Sequence, residues 1–149
     1  MIVRVNDSNV AEAARIHSVS WRDSHRTFCD PAFIERHTPK RQMDYLLSKM
    51  ARGTAVYMLV EEEPVGIVSV TGNLIEDLYV LPEYRNMGCG SRLLQYAIKR
   101  CDKSPTLWIL ENNVNAARLY RRSGFTATGK RHSIANALDE IEYSMMNEG

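Results

Sequence analysis

The chain has 149 residues, of which 44% are hydrophobic and 25% are charged, the proportions of an ordinary globular protein. This length predicts one domain over residues 1–149. A formal net charge of +1, without a long basic run, excludes a nucleic-acid-binding protein that works through bulk electrostatics. No segment reaches the ~18 apolar residues of a membrane helix, and the first residues lack the apolar stretch of a signal peptide. We therefore expect a cytoplasmic protein with neither nucleic acid nor a membrane as partner.

The cysteines and histidines predict neither disulfide bonds nor a metal site. Three cysteines form no CxxC pair, and any pairing leaves one over, which indicates reduced thiols in a cytosolic protein. None of the histidines has metal-ligand spacing with a cysteine. We expect no bound metal.

The first third of the chain predicts one strand and two helices. Residues 1–5 alternate as in a short strand. A helix follows and reaches about Trp21, because apolar residues recur at helical spacing. Residues 22–38 are interrupted by CDP and TPK, and they predict a loop with a short helical turn. Residues 39–53 predict a second helix, which the glycine at its end terminates.

The rest of the chain is richer in strands. Residues 55–70 predict two strands joined through Glu-Pro-Val-Gly, and residues 72–82 predict a third strand. The remaining predicted elements are a helix at about 90–100, a strand at 106–110, a helix at 113–124 and two strands at 125–132 and 139–146. This order predicts an α/β (α+β) fold, in which helices flank a mixed, largely antiparallel sheet.

The stretch RNMGCGSRLL, residues 85–94, places two glycines between a strand and a helix. Gly88 and Gly90 would let N–H groups of the first helical turn face a phosphate without interference from Cβ atoms. A P-loop is excluded because Gly90 is followed by Ser91 rather than Lys, and a dinucleotide fingerprint is excluded because Leu93 is not small. The pattern alone is also compatible with a plain turn that starts a helix.

Two blocks, LYVLPEYRNMGCGSRLL and LWILENNVNAARLYRRSGF, closely resemble the GNAT superfamily of N-acetyltransferases. In that family the first block holds the pyrophosphate of acetyl-CoA, and the second carries a cofactor-contacting Asn and a Tyr seven residues later, the spacing of Asn113 and Tyr120. The resemblance implies acetyl-CoA as co-substrate, a splayed strand pair at its site and direct attack by a primary amine in a ternary complex. The implied cofactor-binding residues are Leu78, Tyr79, Val80, Arg85, Asn86, Met87, Gly88, Cys89, Gly90, Ser91, Asn113 and Tyr120.

The resemblance also implies chemical roles for three of these residues. The Leu78 N–H would donate to the thioester carbonyl, a contact worth roughly 3 kcal/mol at the transition state, and Val80 would bond the pantetheine amides. Tyr120 would protonate the coenzyme A sulfur as a general acid. The alternative for Tyr120 is a core tyrosine whose hydroxyl is satisfied within the protein.

Glu76 is the candidate general base, acting directly or through water. It lies two residues before Leu78, on the same strand face and within an apolar run. A partly buried carboxylate of this kind suits a general base. A register error of one residue would exchange Glu76 with Asp77, and Glu111, at the end of the next strand, is a third candidate. The alternative is that Glu76 or Asp77 points to solvent or pairs with an arginine.

The acceptor side is less well defined by the sequence. Trp21, His25 and Phe28 are expected to line the acceptor pocket, because their segment is similar to the acceptor side of one bacterial branch of the family. His17 is interpreted as a packing residue, and the acidic run 61–63 as the solvated end of a hairpin.

Two other functions stay open: a coenzyme A sensor without turnover, and a transferase that acts on a protein N-terminus or lysine. The resemblance also allows a homodimer.

Overall fold

The computed structural model describes residues 1–27, 29–135 and 138–145. Its strands are β1 (Ile2–Arg4), β2 (Ala55–Val60), β3 (Pro64–Thr71), β4 (Leu74–Val80), β5 (Thr106–Leu110), β6 (Thr126–Ala135) and β7 (Leu138–Ser144). They form one sheet in the order β1-β2-β3-β4-β5-β7-β6. All neighbours are antiparallel except β4 and β5, which pair in parallel. The mixed, largely antiparallel sheet expected from the sequence is confirmed.

The helices connect these strands and cover the sheet. They are α1 (Val10–His25), α2 (Pro31–Glu35), α3 (Pro39–Ala51), α4 (Cys89–Ile98) and α5 (Val114–Arg122), with a 3-10 turn at Pro82–Tyr84. Within the described residues, every helix is too short or too polar to cross a membrane.

The first helix is longer than the sequence pattern predicts. It continues past Trp21 to His25, because the next residues contain neither Gly nor Pro. The five-residue α2 is the short helical turn expected between residues 22 and 38, and it begins at Pro31 with the side chain of Asp30 accepting the N–H of Ala32 at 2.8 Å. Pro at the first helical position and Asp at the cap favour this start.

The sheet has a hydrophobic core on each face. Along β2, Val56 and Met58 pack with α1 and α3, whereas Tyr57 and Leu59 pack with α4 and α5. This alternation is the two-residue period of a strand that is buried on both sides. The two faces therefore carry different helix pairs, and both pairs reach the strands at the centre of the sheet.

The central strands β4 and β5 pair only at their first residues. Leu74 lies opposite Thr106 and Ile75 opposite Leu107, although β4 continues to Val80. On its other side, β4 contains a bulge, since Ile67 pairs with Tyr79 but Ser69 pairs with Glu76. β4 therefore spans three residues where β3 spans two.

Candidate active site

The loop between β4 and α4 contains the two glycines singled out in the sequence, and they differ in environment. Gly88 is the N-cap of α4 with φ of +83°, a left-handed conformation that favours glycine. A Cβ added to Gly88 would meet no described heavy atom within 4 Å, so the space beside this backbone is open. A Cβ on Gly90 would lie 3.3 Å from Leu119 Cδ2, so Gly90 lets α4 approach α5.

Arg85, at the start of the loop, is bound to α1. Its Nη1 donates to Asp23 Oδ2 at 2.5 Å, and its Nη2 donates to the carbonyl of Ser20 at 3.5 Å. The resemblance places this residue at the pyrophosphate, whereas here its guanidinium connects the loop to the helix that carries Trp21. Asn86 has a φ of +63°, and both Asn86 and Met87 are exposed.

The acidic turn at 61–63 is more than a solvated hairpin end. Glu61 pairs with Arg92 of α4, and Glu63 accepts the hydroxyl of Tyr84 at 2.9 Å. These contacts join the turn to both ends of the glycine loop. All three glutamates of the turn are exposed, as expected of a solvated hairpin end, and these two contacts add partners that lie 21 and 31 residues away in sequence.

Asn113 and Tyr120 lie at opposite ends of α5. The Asn113 side chain is the helix cap, since its Oδ1 accepts the N–H of Ala116 at 3.1 Å. Tyr120 is buried, with its ring edge-on to Phe125. Burial, and then the negative charge of Asp77, raise the pKa of Tyr120 above its ordinary value. The hydroxyl therefore keeps its proton through the physiological pH range, as a general acid must.

The bulge in β4 changes the directions of two consecutive side chains. In a regular strand Glu76 and Asp77 would point to opposite faces. Asp77 instead has a φ of +53°, and both carboxylates reach one ammonium, that of Lys49 on α3, at 2.7 Å and 2.9 Å. The sequence alternatives Glu76 and Asp77 therefore share one face.

Asp77 is buried and surrounded by donors. Ser69 Oγ donates to it at 2.7 Å and Tyr45 Oη at 3.0 Å, in addition to Lys49 Nζ. Burial disfavours its charged form, but the Lys49 ammonium and the hydrogen bonds outweigh burial and lower the pKa of Asp77. Glu76 differs because its side chain is 39% exposed. Of the two carboxylates, Glu76 is the one within reach of a ligand.

Glu76 and Asp77 form part of a cavity of about 470 Å³ between α1, α3 and the sheet. Trp21, one of the residues predicted for the acceptor pocket, lines this cavity, and its ring stacks with those of His25 and His37, with centroids 4.0 Å and 3.5 Å away. His25 supports the wall through this stacking and is outside the lining. The third expected acceptor residue, Phe28, lies outside the described residues.

His17 is buried and lines the same cavity. Its ring stacks on Tyr79 at 4.8 Å, and its Nε2 lies 4.0 Å from Asp77 Oδ1. Burial lowers the pKa of His17 to about 4, against the opposing charge of Asp77. His17 is therefore a neutral packing residue of the cavity wall. The side chain of Tyr79 lies on the side of this cavity, whereas Leu78 and Val80 pack on the side of α4.

The opposite wall holds residues that sequence reasoning missed. Trp108, His132 and Glu140 line the cavity, and His132 Nε2 lies 2.8 Å from Glu140 Oε1. The two residues are cross-strand partners of β6 and β7. The sequence predicted both strands, but no local pattern indicates the cavity that their side chains meet.

Glu111, the third candidate base, lies elsewhere. It pairs with Arg131 and lines a different pocket, between α5 and the β6–β7 pair. Among the described residues, no cluster of His, Cys, Asp or Glu could hold a metal ion.

The described residues fit coenzyme A in three respects. The open space at Gly88 is a cradle that a Cβ would fill. The ten-residue helix α4 begins at that point, with first-turn N–H groups available to a phosphate. The part of β4 beyond Ile75 has backbone groups outside the recorded pairing with β5.

Comparison with known proteins agrees with this geometry. Residues 52–127 match the acetyltransferase (GNAT) domain family. An uncharacterized N-acetyltransferase of Archaeoglobus fulgidus is 32% identical over 113 residues, which cover 66% of this chain and 76% of the relative. The peptidyl-lysine N-acetyltransferase YjaB of Salmonella typhimurium is 24% identical over 135 residues, covering 87% and 88%. The structure of YncA from Salmonella typhimurium with its cofactor acetyl-CoA has a TM-score of 0.73 at 19% identity, covering 100% of this chain and 95% of YncA.

The chain belongs to the GNAT family of acetyltransferases. Its activity is that of an acetyl-CoA-dependent N-acetyltransferase.

Proposed function

We propose that the acceptor is the primary amine of a small molecule, which attacks the thioester directly while both substrates are bound. The observation that carries this proposal is the cavity of about 470 Å³ at β4, into which Glu76 extends a partly exposed carboxylate. Pockets of this size suit small ligands. No side chain of the described cavity is an evident covalent nucleophile, which favours direct transfer.

Glu76 takes the proton that the amine must lose. Its carboxylate is held by Lys49 through one oxygen only, at 2.7 Å, so its other oxygen is available. Asp77 is less suited, because it accepts hydrogen bonds from three side chains and its pKa is lowered. Glu111 is less suited because it pairs with Arg131 in a separate pocket.

Tyr120 supplies the proton for the leaving sulfur. Its raised pKa keeps the hydroxyl protonated, and its burial excludes water from that side. Acetyl-CoA, when bound, supplies an activated acyl group. The residues that would hold it are the backbone of Leu78 and Val80, the loop from Arg85 to Ser91, and Asn113.

The short pairing between β4 and β5 supports the splayed strand pair that the resemblance implies. Because β4 pairs with β5 only at Leu74 and Ile75, the N–H and C=O groups of Leu78 and Val80 are candidates for hydrogen bonds to the pantetheine arm. The Leu78 N–H would then face the acyl oxygen. An aimed donor of this kind stabilises developing charge.

A second acceptor class is favoured by one observation. YjaB of Salmonella typhimurium, which matches 87% of this chain, is a peptidyl-lysine N-acetyltransferase. A lysine side chain of a protein would need to enter the same cavity from an exposed segment. Its amine would meet the same Glu76.

Release of free thiol from acetyl-CoA, measured over a panel of acceptors, tests the proposal. The panel holds small primary amines, diamines, aminoglycoside antibiotics and lysine-containing peptides. We expect at least one small amine to exceed every peptide tenfold or more in kcat/KM, about 1.4 kcal/mol. If only the lysine-containing peptides are acetylated, the acceptor is a protein lysine and not a small amine. Tight binding of acetyl-CoA without any turnover would favour a sensor.

We also propose a cytoplasmic, homodimeric protein. The described cysteines Cys29, Cys89 and Cys101 are all free thiols, which fits a reducing compartment. Light scattering of the purified protein gives the oligomeric state directly, and a monomeric mass would contradict the dimer.

A further inference from the structure

One buried ammonium faces two carboxylates at the floor of the cavity. Lys49 Nζ donates to Glu76 Oε1 at 2.7 Å, to Asp77 Oδ2 at 2.9 Å and to Tyr45 Oη at 3.1 Å. These three bonds use all the donors of an ammonium. The side chain of Lys49 is 9% exposed, so water replaces none of them.

The charges in this network do not cancel. One positive charge stands against two negative charges, and the bonds of Asp77 are complete within the protein. Burial disfavours the Lys49 ammonium, but Asp77 and Glu76 outweigh burial and raise the pKa of Lys49. Lys49 therefore stays charged, and the unmatched negative charge belongs to the more exposed carboxylate, Glu76.

Other ionisable groups surround this network from several elements. On the side of α1, α3 and β4 they are His17, Tyr45 and Tyr79. Across or above the cavity they are His37, Arg41, His132 and Glu140. His17 is neutral above about pH 4, and Tyr45 and Tyr79 have raised pKa values that keep them neutral. Glu140 is paired with His132. Arg41 also lines the cavity, but among the described residues the ion pair of Glu76 is made with Lys49. The cluster of Lys49, Glu76 and Asp77 therefore has a net charge of minus one.

We infer that Lys49 is a positioning residue for acetyl transfer: it holds the carboxylates of Glu76 and Asp77 on one face of the β4 bulge and cancels one of their two charges. A single negative charge then faces the acceptor, which suits an amine that arrives as an ammonium ion. This inference rests on the proposed role of Glu76. It adds a function for the long-range contact between α3 and β4.

The test uses the pH profile of kcat/KM for the best acceptor of the panel. In Lys49→Met, the carboxylates of Glu76 and Asp77 face each other without a cation, so Glu76 gives up its proton less readily. We expect the acidic limb to move to higher pH by about one unit. In Asp77→Asn the ammonium of Lys49 serves Glu76 alone, so we expect the acidic limb to move to lower pH.

Three further variants separate the expected effect from misfolding and from unspecific effects of the substitutions. Removal of one member of a buried ion pair is strongly destabilising, whereas removal of both members is often tolerated. The double variant Lys49→Met/Asp77→Asn should therefore fold and return the acidic limb close to its wild-type position. Lys49→Arg keeps the charge and should restore most of the profile. Lys40→Met removes an exposed lysine of the same helix, paired with Asp44, and should leave the profile unchanged.

The outcomes separate this inference from the proposed base. Loss of the acidic limb in Glu76→Gln, together with opposite shifts in Lys49→Met and Asp77→Asn, supports both. If Glu76→Gln removes the limb but the two shifts are absent or have the same sign, Lys49 has no positioning role. If Glu76→Gln leaves the limb intact, the base is wrongly assigned and the inference about Lys49 is overturned with it.

Discussion

Gly90 of α4 packs so closely against Leu119 of α5 that a Cβ at position 90 would lie 3.3 Å from Leu119 Cδ2. A Cβ at Gly88, two residues earlier, would meet no described heavy atom within 4 Å. The two glycines of one motif therefore serve different needs. Gly90 brings two helices together, whereas Gly88 leaves room for a ligand.

Gly88→Val should weaken coenzyme A binding at least tenfold, about 1.4 kcal/mol, because the new side chain fills the cradle. Position 88 also has a left-handed φ of +83°, so part of the effect is backbone strain. Gly53→Val is the matched control, since Gly53 has a φ of +101° and an equally open environment at the end of α3. Calorimetric titration of both variants measures the affinity. Equal affinity loss in both, or none in Gly88→Val, would contradict a phosphate cradle.

Glu76→Gln keeps the shape of the side chain and its contact with Lys49, but removes the proton acceptor. We expect kcat to fall and the acidic limb of the pH–rate profile to disappear. Glu111→Gln should change neither, because Glu111 lies in another pocket with Arg131. A profile that is flattened by Glu111→Gln instead would identify Glu111 as the base.

Tyr120→Phe removes one hydroxyl and keeps the ring that packs on Phe125. Turnover should fall by roughly 10²-fold if the hydroxyl protonates the sulfur, with little change in coenzyme A affinity. Because the pKa of Tyr120 is raised, the wild-type enzyme should show no loss of this acid below pH 10. Tyr143→Phe alters another buried tyrosine, hydrogen-bonded to Arg121, and should retain turnover. Equal rates for Tyr120→Phe and wild type would make Tyr120 a core residue.

His17 should make the protein less stable in mild acid. Its pKa is lowered from 6.5 to about 4 by burial, so the unfolded chain binds this proton at higher pH than the folded protein does. The free energy of unfolding therefore falls as the pH drops from 6.5 to 4, by about 3 kcal/mol in total from this group. Urea unfolding at several pH values measures the slope. His17→Phe keeps a ring against Tyr79 and should reduce the dependence of the unfolding free energy on pH. If that dependence is unchanged in His17→Phe, other groups cause it.

The sequence determined the order of the elements and the two blocks that resemble the GNAT family. Periodicity locates strands and helices because backbone hydrogen bonds and side-chain directions repeat over two or 3.6 residues. The glycine loop and the pair Asn113 and Tyr120 are equally local, since each lies within one loop or one helix. These parts were predicted because their physical causes span fewer than ten residues.

The tertiary structure decided which side chains meet at the cavity lined by Glu76 and Asp77. Lys49 is 27 residues from Glu76 in sequence, and neither helical nor strand periodicity indicates that they meet. The bulge at Asp77 breaks the two-residue alternation and brings it to the face of Glu76. The pairing of His132 with Glu140 likewise depends on the register of two strands. Such contacts arise from packing between distant segments, so the grouping of Lys49, Glu76 and Asp77 and its net charge follow only from the folded chain.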